Sequence, residues 1–397
     1  MTKLTRRQFL LSATAAGAAL FLDRLFGRRA QAAPRAVPPH RVVHAHSPEA
    51  TYWDYATGWY GDYVSQAVVD AMTDRGLMAL TDTTTPAGAW EALLPAYTAG
   101  QKVAIKVNLN NAGCTDSDNV IDALPQPVNA VIRGLKTIGV AESDIFVYDV
   151  TIGMHDGAMP ERLVDKIATL YPAVQYDAHA SGCATTLHLG YSTNEKIHFN
   201  VPAGKSPISD RPVCNVLVDA DYLINMPIMK KHGMAGVTLG FKNHFGSLEH
   251  CDYVHWSVTL GGGSYTPDYN GLVDIYNNSH IRDKTVLTVG DALYAARFNN
   301  YSEIPSPWPS FDDQSPNSLF FSIDPVAIDS VMVDFLDAEG GVPNGSDDYL
   351  VLAAASGLGA YERWDASQQY QVIDYQRIEV ALNLPEHLYL PLVGRGG

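Results

Sequence analysis

Cysteine is scarce in this sequence, and the few cysteines are scattered. The 397 residues contain four, at positions 114, 183, 214 and 251, and no Cys-x-x-Cys pair. This spacing favours structural or unpaired cysteines over a thiolate metal site. In an oxidising compartment, four cysteines can form disulfides in three different pairings, and the sequence leaves the pairing open.

Basic residues are also few. The chain has 27 Lys and Arg against 43 Asp and Glu, which gives a formal charge of −16 at pH 7. The signal peptide predicted below contains six of the basic residues and one of the acidic residues. The mature chain is therefore left with 21 bases and 42 acids, a formal charge of −21. This balance argues against nucleic acid or an anionic membrane surface as a partner.

Beyond the N-terminus, the sequence has no segment that is apolar enough to cross a membrane. At the N-terminus, Arg6 and Arg7 precede a short apolar run over residues 9–22, a pattern typical of a twin-arginine export signal. The run is short for a membrane anchor, and Ala30-Gln31-Ala32 fits a small-x-small cleavage site. We therefore expect a twin-arginine signal peptide over residues 1–32. We also expect the twin-arginine export machinery as a partner, a periplasmic or extracellular mature protein, and no stable membrane span.

Strand-like and helix-like patterns alternate after a proline-rich linker at residues 33–40. Apolar runs predict strands at 41–46, 102–108, 144–150, 215–227 and 284–293, and helical patterns follow near 64–72, 127–138, 160–171 and 325–339. This alternation predicts an α/β fold with a mainly parallel sheet and helices on both faces. We expect one α/β domain over residues 41–397, with lobes of about 41–220 and 221–397 and a site between them. Residues 249–283 and 299–318 are predicted to be inserted loops.

Polar side chains follow several of the predicted strands. Asn108 and Asn110 come after one strand, Asp149 ends the next, and Asp291 lies at the end of another. Taken singly, such residues most often cap a helix or shape a turn. Ligands of open parallel sheets, however, bind beyond the carboxyl ends of the strands. These four side chains are therefore candidates for a shared ligand site.

One segment contains no acid at all. Between residues 222 and 248 the sequence has no Asp or Glu, although it has several glycines and the cationic or titratable residues Lys230, Lys231, His232, Lys242 and His244. Glycine lets the backbone approach a ligand closely, and the lysines would stabilise a carboxylate or phosphate. Crowding of like charges would also lower a lysine pKa. The alternative is a solvated basic turn followed by a packed helix.

The histidines of this region leave a metal site open without defining one. His232, His244, His250 and His255 lie within 24 residues of each other, but their spacing matches no metal motif. The glycine spacing fits neither a P-loop nor a dinucleotide fingerprint, so a nucleotide is not predicted. The cofactor is therefore unknown at this stage, and a metal ion is one of the options.

Several stretches resemble the exported members of domain-of-unknown-function family 362: VAIKVNLN, INMPIMKKHGMAGVTLGFKNHFGSL, VGDAL and SIDPVAID. The resemblance runs from about residue 41 to 340 and implies an α/β fold without a settled activity. Its most specific motif maps onto Lys231, His232, Thr238, Lys242, Asn243 and Gly246. Many relatives carry a ferredoxin-like iron–sulfur segment, which the cysteine spacing here does not support. A more distant analogy is to nickel-pincer lactate racemases, which place Lys and His between two α/β lobes.

The hypothesis from the sequence is a secreted enzyme that acts on a small anionic, carboxylate-bearing substrate, with or without a metal or cofactor, as an isomerase or oxidoreductase. The predicted catalytic residues are Lys231, His232, Lys242 and His244. The predicted ligand-binding residues are Asn108, Asn110, Asp149, Lys230, Thr238, Asn243 and Asp291. The alternative is a periplasmic binding protein that captures an anionic ligand or cofactor without catalysis, so the sequence leaves open whether the protein is an enzyme.

Overall fold

The structure is a computed structural model that describes residues 37–109, 112–115, 118–151, 158–179, 183, 186–260, 265, 267–297 and 303–382. Residues Val37–Gly397 form one compact unit. The predicted signal peptide and Asn110 lie outside the described residues. Within the described part of the chain, no helix is long and apolar enough to span a bilayer.

Twelve strands are present among the described residues. They are β1 (Arg41–His46), β2 (Val103–Lys106), β3 (Ile145–Asp149), β4 (Gln175–Ala178), β5 (Tyr191–Ile197), β6 (Arg211–Cys214), β7 (Tyr222–Asn225), β8 (Ile228–His232), β9 (Gly236–Thr238), β10 (Thr285–Ala296), β11 (Ser318–Ser322) and β12 (Asp374–Glu379).

The described helices fall between these strands. The α-helices are α1 (Gln66–Thr81), α2 (Pro86–Leu93), α3 (Pro125–Thr137), α4 (Glu161–Ala168), α5 (Asn215–Asp219), α6 (Gly240–Asn243), α7 (Gly271–Tyr276), α8 (Ser279–Arg282), α9 (Pro325–Ala338) and α10 (Asp348–Ala355). Short 3₁₀ helices cover Tyr60–Asp62, Glu142–Asp144, His244–Ser247, Cys251–Ser257 and Pro309–Phe311.

One large sheet organises the fold, in the strand order β12-β1-β11-β10-β7-β2-β3-β4, with β8 paired to β10 and β9 paired to β8. The pairs β10–β7, β7–β2, β2–β3 and β3–β4 are parallel, whereas β11 runs antiparallel to both β1 and β10. Strands from both sides of residue 220 therefore join in the same sheet. The predicted α/β class with a mainly parallel sheet is confirmed.

The central strands are apolar throughout because both faces of the sheet are covered. Along β2, Ile105 packs into one hydrophobic core and Ala104 into the other. The same alternation places Ile224 and Leu223 of β7 in opposite cores. A strand that is buried on both faces has a continuous rather than an alternating apolar pattern, as the sequence showed for VAIKV.

Local signals in the sequence account for several helix starts. Asp324 accepts hydrogen bonds from the backbone N–H groups of Val326 and Ala327, both at 2.9 Å, and Pro325 opens α9. An N-terminal carboxylate and a proline at the first helical position both favour a helix start. Helix α3 begins at Pro125, two residues earlier than the pattern predicted.

Two local predictions are wrong. The stretch 215–227, predicted to hold one strand and a second short one, instead begins with helix α5 (Asn215–Asp219), and its strand begins at Tyr222. Lys230–His232, predicted to lie in a glycine-rich loop, instead form the end of β8, which pairs with β9 as an antiparallel hairpin. Gly236, the first residue of β9 after the turn, has a φ of 79°, a conformation that favours glycine.

The cysteines are resolved into one disulfide and two thiols. Cys114 is bonded to Cys183, while Cys214 and Cys251 are buried and are not part of a disulfide. Burial raises the pKa of Cys214 to about 12 and that of Cys251 to about 11, so both stay protonated at neutral pH. The disulfide joins residues 69 positions apart, and the segment between them contains α3, β3, α4 and β4.

The first prediction concerns this disulfide. Replacing both Cys114 and Cys183 with Ser should lower the free energy of unfolding by about 4 kcal/mol, because closing a long loop restricts the unfolded chain. Urea unfolding followed by circular dichroism measures the change. The matched control is Cys214→Ser with the disulfide intact, and an unchanged midpoint in the double variant would contradict the prediction.

Candidate functional site

A buried ion pair lies where the central strands end. The Nζ of Lys106, the last residue of β2, is 3.2 Å from Oδ2 of Asp149, the last residue of β3, and both side chains are almost fully buried. Parallel pairing of β2 with β3 places these two strand ends side by side. The carboxyl ends of the strands therefore provide a charged pair at the edge where ligands of such sheets bind.

The Asp149 carboxylate is held by further donors. Its Oδ2 accepts from the backbone N–H of Leu109 at 2.8 Å, and its Oδ1 accepts from the N–H and hydroxyl of Thr151 at 2.9 and 2.6 Å. Burial lowers the pKa of Lys106, and the charge of Asp149 opposes that effect. The pair is thus saturated with internal bonds and fixed in position.

Gly246 closes over this pair. Its carbonyl accepts from the backbone N–H of Val150 at 3.1 Å, and a Cβ at this position would lie 2.0 Å from Asp149 Oδ1 and 2.6 Å from Lys106 Nζ. No side chain fits between backbone and ion pair at such distances. The glycine is required here for close approach rather than for a left-handed φ.

Three asparagines link the pair to the acid-free segment. The Oδ1 of Asn243 accepts from Lys106 Nζ and from Asn108 Nδ2, both at 3.3 Å, while its Nδ2 donates to Asn225 Oδ1 at 2.8 Å. Asn225 in turn donates to the carbonyl of Gly240 at 3.0 Å. Among the described residues, the Oδ1 of Asn108 is buried without a hydrogen-bond partner.

Helix α6 is held from behind by Asp329 of α9. The two carboxylate oxygens of Asp329 accept from the backbone N–H groups of Gly240 at 2.8 Å and Phe241 at 3.1 Å, and Tyr349 donates its hydroxyl at 2.9 Å. Burial raises the pKa of Asp329 to about 7, although the hydrogen bonds favour the charged form. This contact fixes the turn that carries Lys242 and Asn243.

Lys242 and two histidines form a second cluster next to the ion pair. Lys242 Nζ lies 3.3 Å from His255 Nε2, and the rings of His255 and His232 stack at 5.9 Å. Burial lowers the pKa of Lys242 to about 7, and the charges of Lys230 and Lys106 add to this effect. Three lysine ammonium groups therefore influence one another at this edge of the sheet.

The histidines of the cluster are held neutral. Burial lowers the pKa of His232 to about 2 and that of His255 to about 3, and the charge of Lys242 contributes to both shifts. The Nδ1 of His232 accepts from the backbone N–H groups of Met234 and Ala235, each at 3.1 Å. This hydrogen bonding places the remaining proton of the His232 ring on Nε2.

Neighbouring lysines of β8 point in opposite directions. Lys230 is buried, and burial lowers its pKa against the opposing charges of Asp122, Glu303 and Asp149. Within the described part of the chain, its Nζ has no hydrogen-bonded partner. Burial also lowers the pKa of Lys231, and the charges of Glu303 and Asp337 oppose that effect. Alternation along a strand separates the two side chains.

The structure thus brings together part of the predicted set. Six predicted residues lie around the ion pair and the Lys242 cluster: Asn108, Asp149, Lys230, His232, Lys242 and Asn243. Thr238 is opposite Lys230 across the β8–β9 hairpin, and its Oγ1 is buried without a partner among the described residues. The roles assigned to these residues stay predictions.

Three predicted residues make no hydrogen bond to the ion pair or to Lys242 among the described residues. His244 is fully buried, its ring 5.5 Å from that of Tyr276 and its Nδ1 3.1 Å from the hydroxyl of Ser247. Asp291 accepts from the N–H of Leu293 at 3.0 Å, and burial raises its pKa to about 7. Lys231 lies on the opposite side of β8 from Lys230, as described above.

Sequence reasoning missed Lys106 and left Asn225 and His255 without specific roles. The signal for Lys106 was present: it is the one charged residue in the apolar run of β2, and a buried charge requires a partner. The contacts of Asn225 and His255 depend on tertiary packing, which the sequence did not reveal.

The described residues were compared with the ligand sets that hold metal ions in proteins. Within those ranges, no group of three or more His, Cys, Asp or Glu side chains is placed to hold a metal ion. The option of a bound metal stays a prediction from the sequence.

Comparison with known proteins identifies a family. The family described as domain of unknown function DUF362 matches residues 103–334. No curated protein matches the sequence.

Two solved structures are similar in part. One is the crystal structure of a protein from Thermotoga maritima, with 16% identity, a TM-score of 0.36, and coverage of 61% of this chain and 53% of that chain. The other is the lactate racemase apoprotein from Thermoanaerobacterium thermosaccharolyticum, with 13% identity, a TM-score of 0.33, and coverage of 66% and 51%. The chain spans about half the length of each. Since the family match covers more than half of the chain and includes Lys106, Asp149 and Lys242, the protein belongs to the DUF362 family.

Proposed function

We propose that this protein is an exported enzyme that acts on a small, carboxylate-bearing anion at the carboxyl edge of the sheet. One observation carries the proposal: the ammonium groups of Lys230 and Lys242 are buried, and among the described residues neither is hydrogen-bonded to a carboxylate. A buried ammonium without such a partner is costly. A bound anion would supply the missing partner.

The distribution of charge supports an anionic ligand. Asp149 is committed to Lys106 and to three donors from Leu109 and Thr151. Lys242, in contrast, contacts His255 and lies 3.4 Å from the ring centroid of Phe245. The ion pair is therefore internally neutral, and Lys242 adds positive charge beside it. A carboxylate entering this edge would be attracted by charge-assisted hydrogen bonds.

Neither lysine is ion-paired with a carboxylate among the described residues, and both are assigned to the ligand carboxylate. In complexes in which Lys242 is neutral, its amine is assigned to take a proton from the carbon next to that carboxylate. A group with a pKa of about 7 is well matched to general acid–base catalysis at neutral pH. His255 orients the amine of Lys242, and His232 supports the ring of His255 by stacking. Proton transfer at a carbon next to the carboxylate, an isomerisation, is the reaction that this arrangement favours.

Export is part of the proposal. Arg6 and Arg7 with the apolar run after them motivate it, and the disulfide between Cys114 and Cys183 supports it. Structural disulfides persist mainly in oxidising compartments, whereas cytosolic proteins rarely keep them.

The proposed function is tested on protein that has been exported with its own signal peptide and then purified. Small 2-hydroxy and 2-amino carboxylates are incubated with the protein in D₂O, and deuterium at the carbon next to the carboxylate is followed by NMR. We expect incorporation in the presence of wild-type protein and none with Lys242→Met. Binding without exchange or conversion would identify a binding protein instead.

Substitution of Lys242 tests whether this residue serves the ligand or the fold. Lys242→Met should abolish binding of a carboxylate ligand and leave the melting temperature unchanged or slightly raised, because it removes a buried charge and keeps the apolar stem. Calorimetric titration and thermal unfolding measure the two quantities. Lys196→Met, at an exposed lysine of β5, is the control. Loss of stability with binding retained would make Lys242 structural.

Proton uptake on ligand binding tests the lowered pKa of Lys242. Because burial lowers the pKa of Lys242 to about 7, most of this amine is neutral at pH 8 in the free protein. A bound carboxylate raises that pKa, so binding at pH 8 should take up as much as about one proton, and affinity should fall as pH rises above 7. Titration in buffers of different ionisation enthalpy measures the uptake. Lys242→Arg should bind without uptake, and equal uptake in that variant would refute the assignment.

Gly246 offers a test without touching an ionisable group. Gly246→Ala should displace Asp149 from Lys106 and abolish ligand binding, because the added Cβ overlaps both side chains. Breaking a buried pair also costs about 3–5 kcal/mol of stability. Gly113→Ala is the matched control, since a Cβ there meets nothing within 4 Å. Normal binding by Gly246→Ala would show that the ion pair does not organise the site.

A further inference from the structure

The 3₁₀ helix Cys251–Ser257 has three distinct faces. Residues three positions apart in a 3₁₀ helix lie above one another. Cys251, Val254 and Ser257 accordingly form a buried face. Tyr253 and Trp256 form an outer face, with 59% and 69% of their surfaces exposed. Two large aromatic rings are therefore presented side by side to solvent.

The remaining face of this helix carries a residue of the candidate site. His255 lies 3.3 Å from Lys242 Nζ and is largely buried, so it points toward the lysine cluster. The exposed rings of Tyr253 and Trp256 belong to the same turn of chain. The outer face and a residue of the candidate site therefore belong to one short helix.

A groove runs along the outer face. Its volume is about 460 Å³, and its lining includes Ser206, Ile208, Arg211, Tyr253, Trp256 and Tyr265. The size suits a small ring compound. Tyr265 donates its hydroxyl to the carbonyl of Ser206 at 2.7 Å, which ties one wall to the other.

Arg211 gives the groove its charge. The guanidinium carbon lies 4.8 Å from the ring centroid of Tyr253, and the buried Nε has no hydrogen-bond partner among the described residues. Within the same residues, Arg211 also forms no ion pair with a carboxylate. The guanidinium beside the two aromatic rings is therefore available to bind an anionic group through charge-assisted hydrogen bonds.

We propose that this groove, here called the Arg211 groove, binds an anionic ring. The ring stacks on Trp256 and Tyr253, and its anionic group accepts hydrogen bonds from Arg211. Binding of a ring acid to the groove requires no chemistry at Lys242 and does not rest on the proposed function.

Three probes separate the two sites. Benzoate and glucuronate each carry a ring and one carboxylate, while acetate has no ring. Saturation-transfer NMR and titration on the exported protein give the affinity of each probe. Benzoate binding alone points to aryl acids, glucuronate binding alone to sugar acids, and either result supports the groove.

Variants then assign the contacts. Trp256→Ala and Arg211→Gln should each weaken binding of the ring acid by about tenfold, which is the scale of an aromatic or charge-assisted contact. Acetate binding should be unaffected by either change. Trp364→Ala and Arg75→Gln are matched controls at other exposed positions and should bind normally. Thermal unfolding confirms that each variant is folded.

The outcomes distinguish failure of the groove from failure of the proposed function. Ring acids that bind to Trp256→Ala and Arg211→Gln as tightly as to wild type, or that do not bind at all, would overturn the groove. Loss of benzoate binding in Lys242→Met would also overturn it, because a single site would then hold both kinds of probe. A groove that binds benzoate while Lys242→Met still binds acetate normally would uphold the inference and refute the role of Lys242.

Discussion

The buried ion pair between Lys106 and Asp149 is the constraint on which the site depends. Neither charge can be removed alone, because the partner would remain as an unpaired charge in the core. The pair also fixes its surroundings: Gly246 must lack a side chain, and Asn243 must turn its carbonyl oxygen toward Lys106. One electrostatic contact at two strand ends thereby determines the position of the acid-free segment.

The remaining residues of the site are positioned by contacts with the ion pair and with helix α9. Asn243 connects the pair to Asn225 at the end of β7, and Asp329 fixes the start of the same short helix from α9. Lys242 is adjacent to Asn243 in sequence, so its direction is set by contacts on both sides of it. A lysine whose pKa is lowered by burial needs such support, since a mobile side chain would move its amine into water and regain its usual pKa.

The fold could be read from the sequence because its signals are local. Continuous apolar runs predicted β2 and β3, and Asp324 with Pro325 predicted the start of α9. Helix α5 was mistaken for strand because NVLVD is a short apolar run, and such runs do not distinguish the two states. The hairpin of β8 and β9 was missed because its glycines also fit a loop.

The site was predicted less completely, and the reason is physical. Asn108 and Asp149 were identified as site candidates because they follow or end predicted strands. Lys230 and Lys242 were identified because their segment contains no acidic residue. Neither signal reports which way a side chain points. His244 and Lys231 have the expected chemistry, yet packing directs one ring toward Tyr276 and strand alternation directs the other side chain away from Lys230. Such directions depend on tertiary contacts.

The net charge of the chain and the local charge of the lysines together determine which ligands can reach this site. The chain as a whole carries a formal charge of −16, which repels anions at a distance, whereas Lys230 and Lys242 attract them only close by. Salt screens the long-range repulsion over about 10 Å but acts much less on buried groups. A small anion of low charge therefore meets a modest barrier and a strong local attraction, whereas a polyanion meets repulsion along its whole length. The same balance that makes the lysine cluster unusual in this chain favours small carboxylates as its ligands.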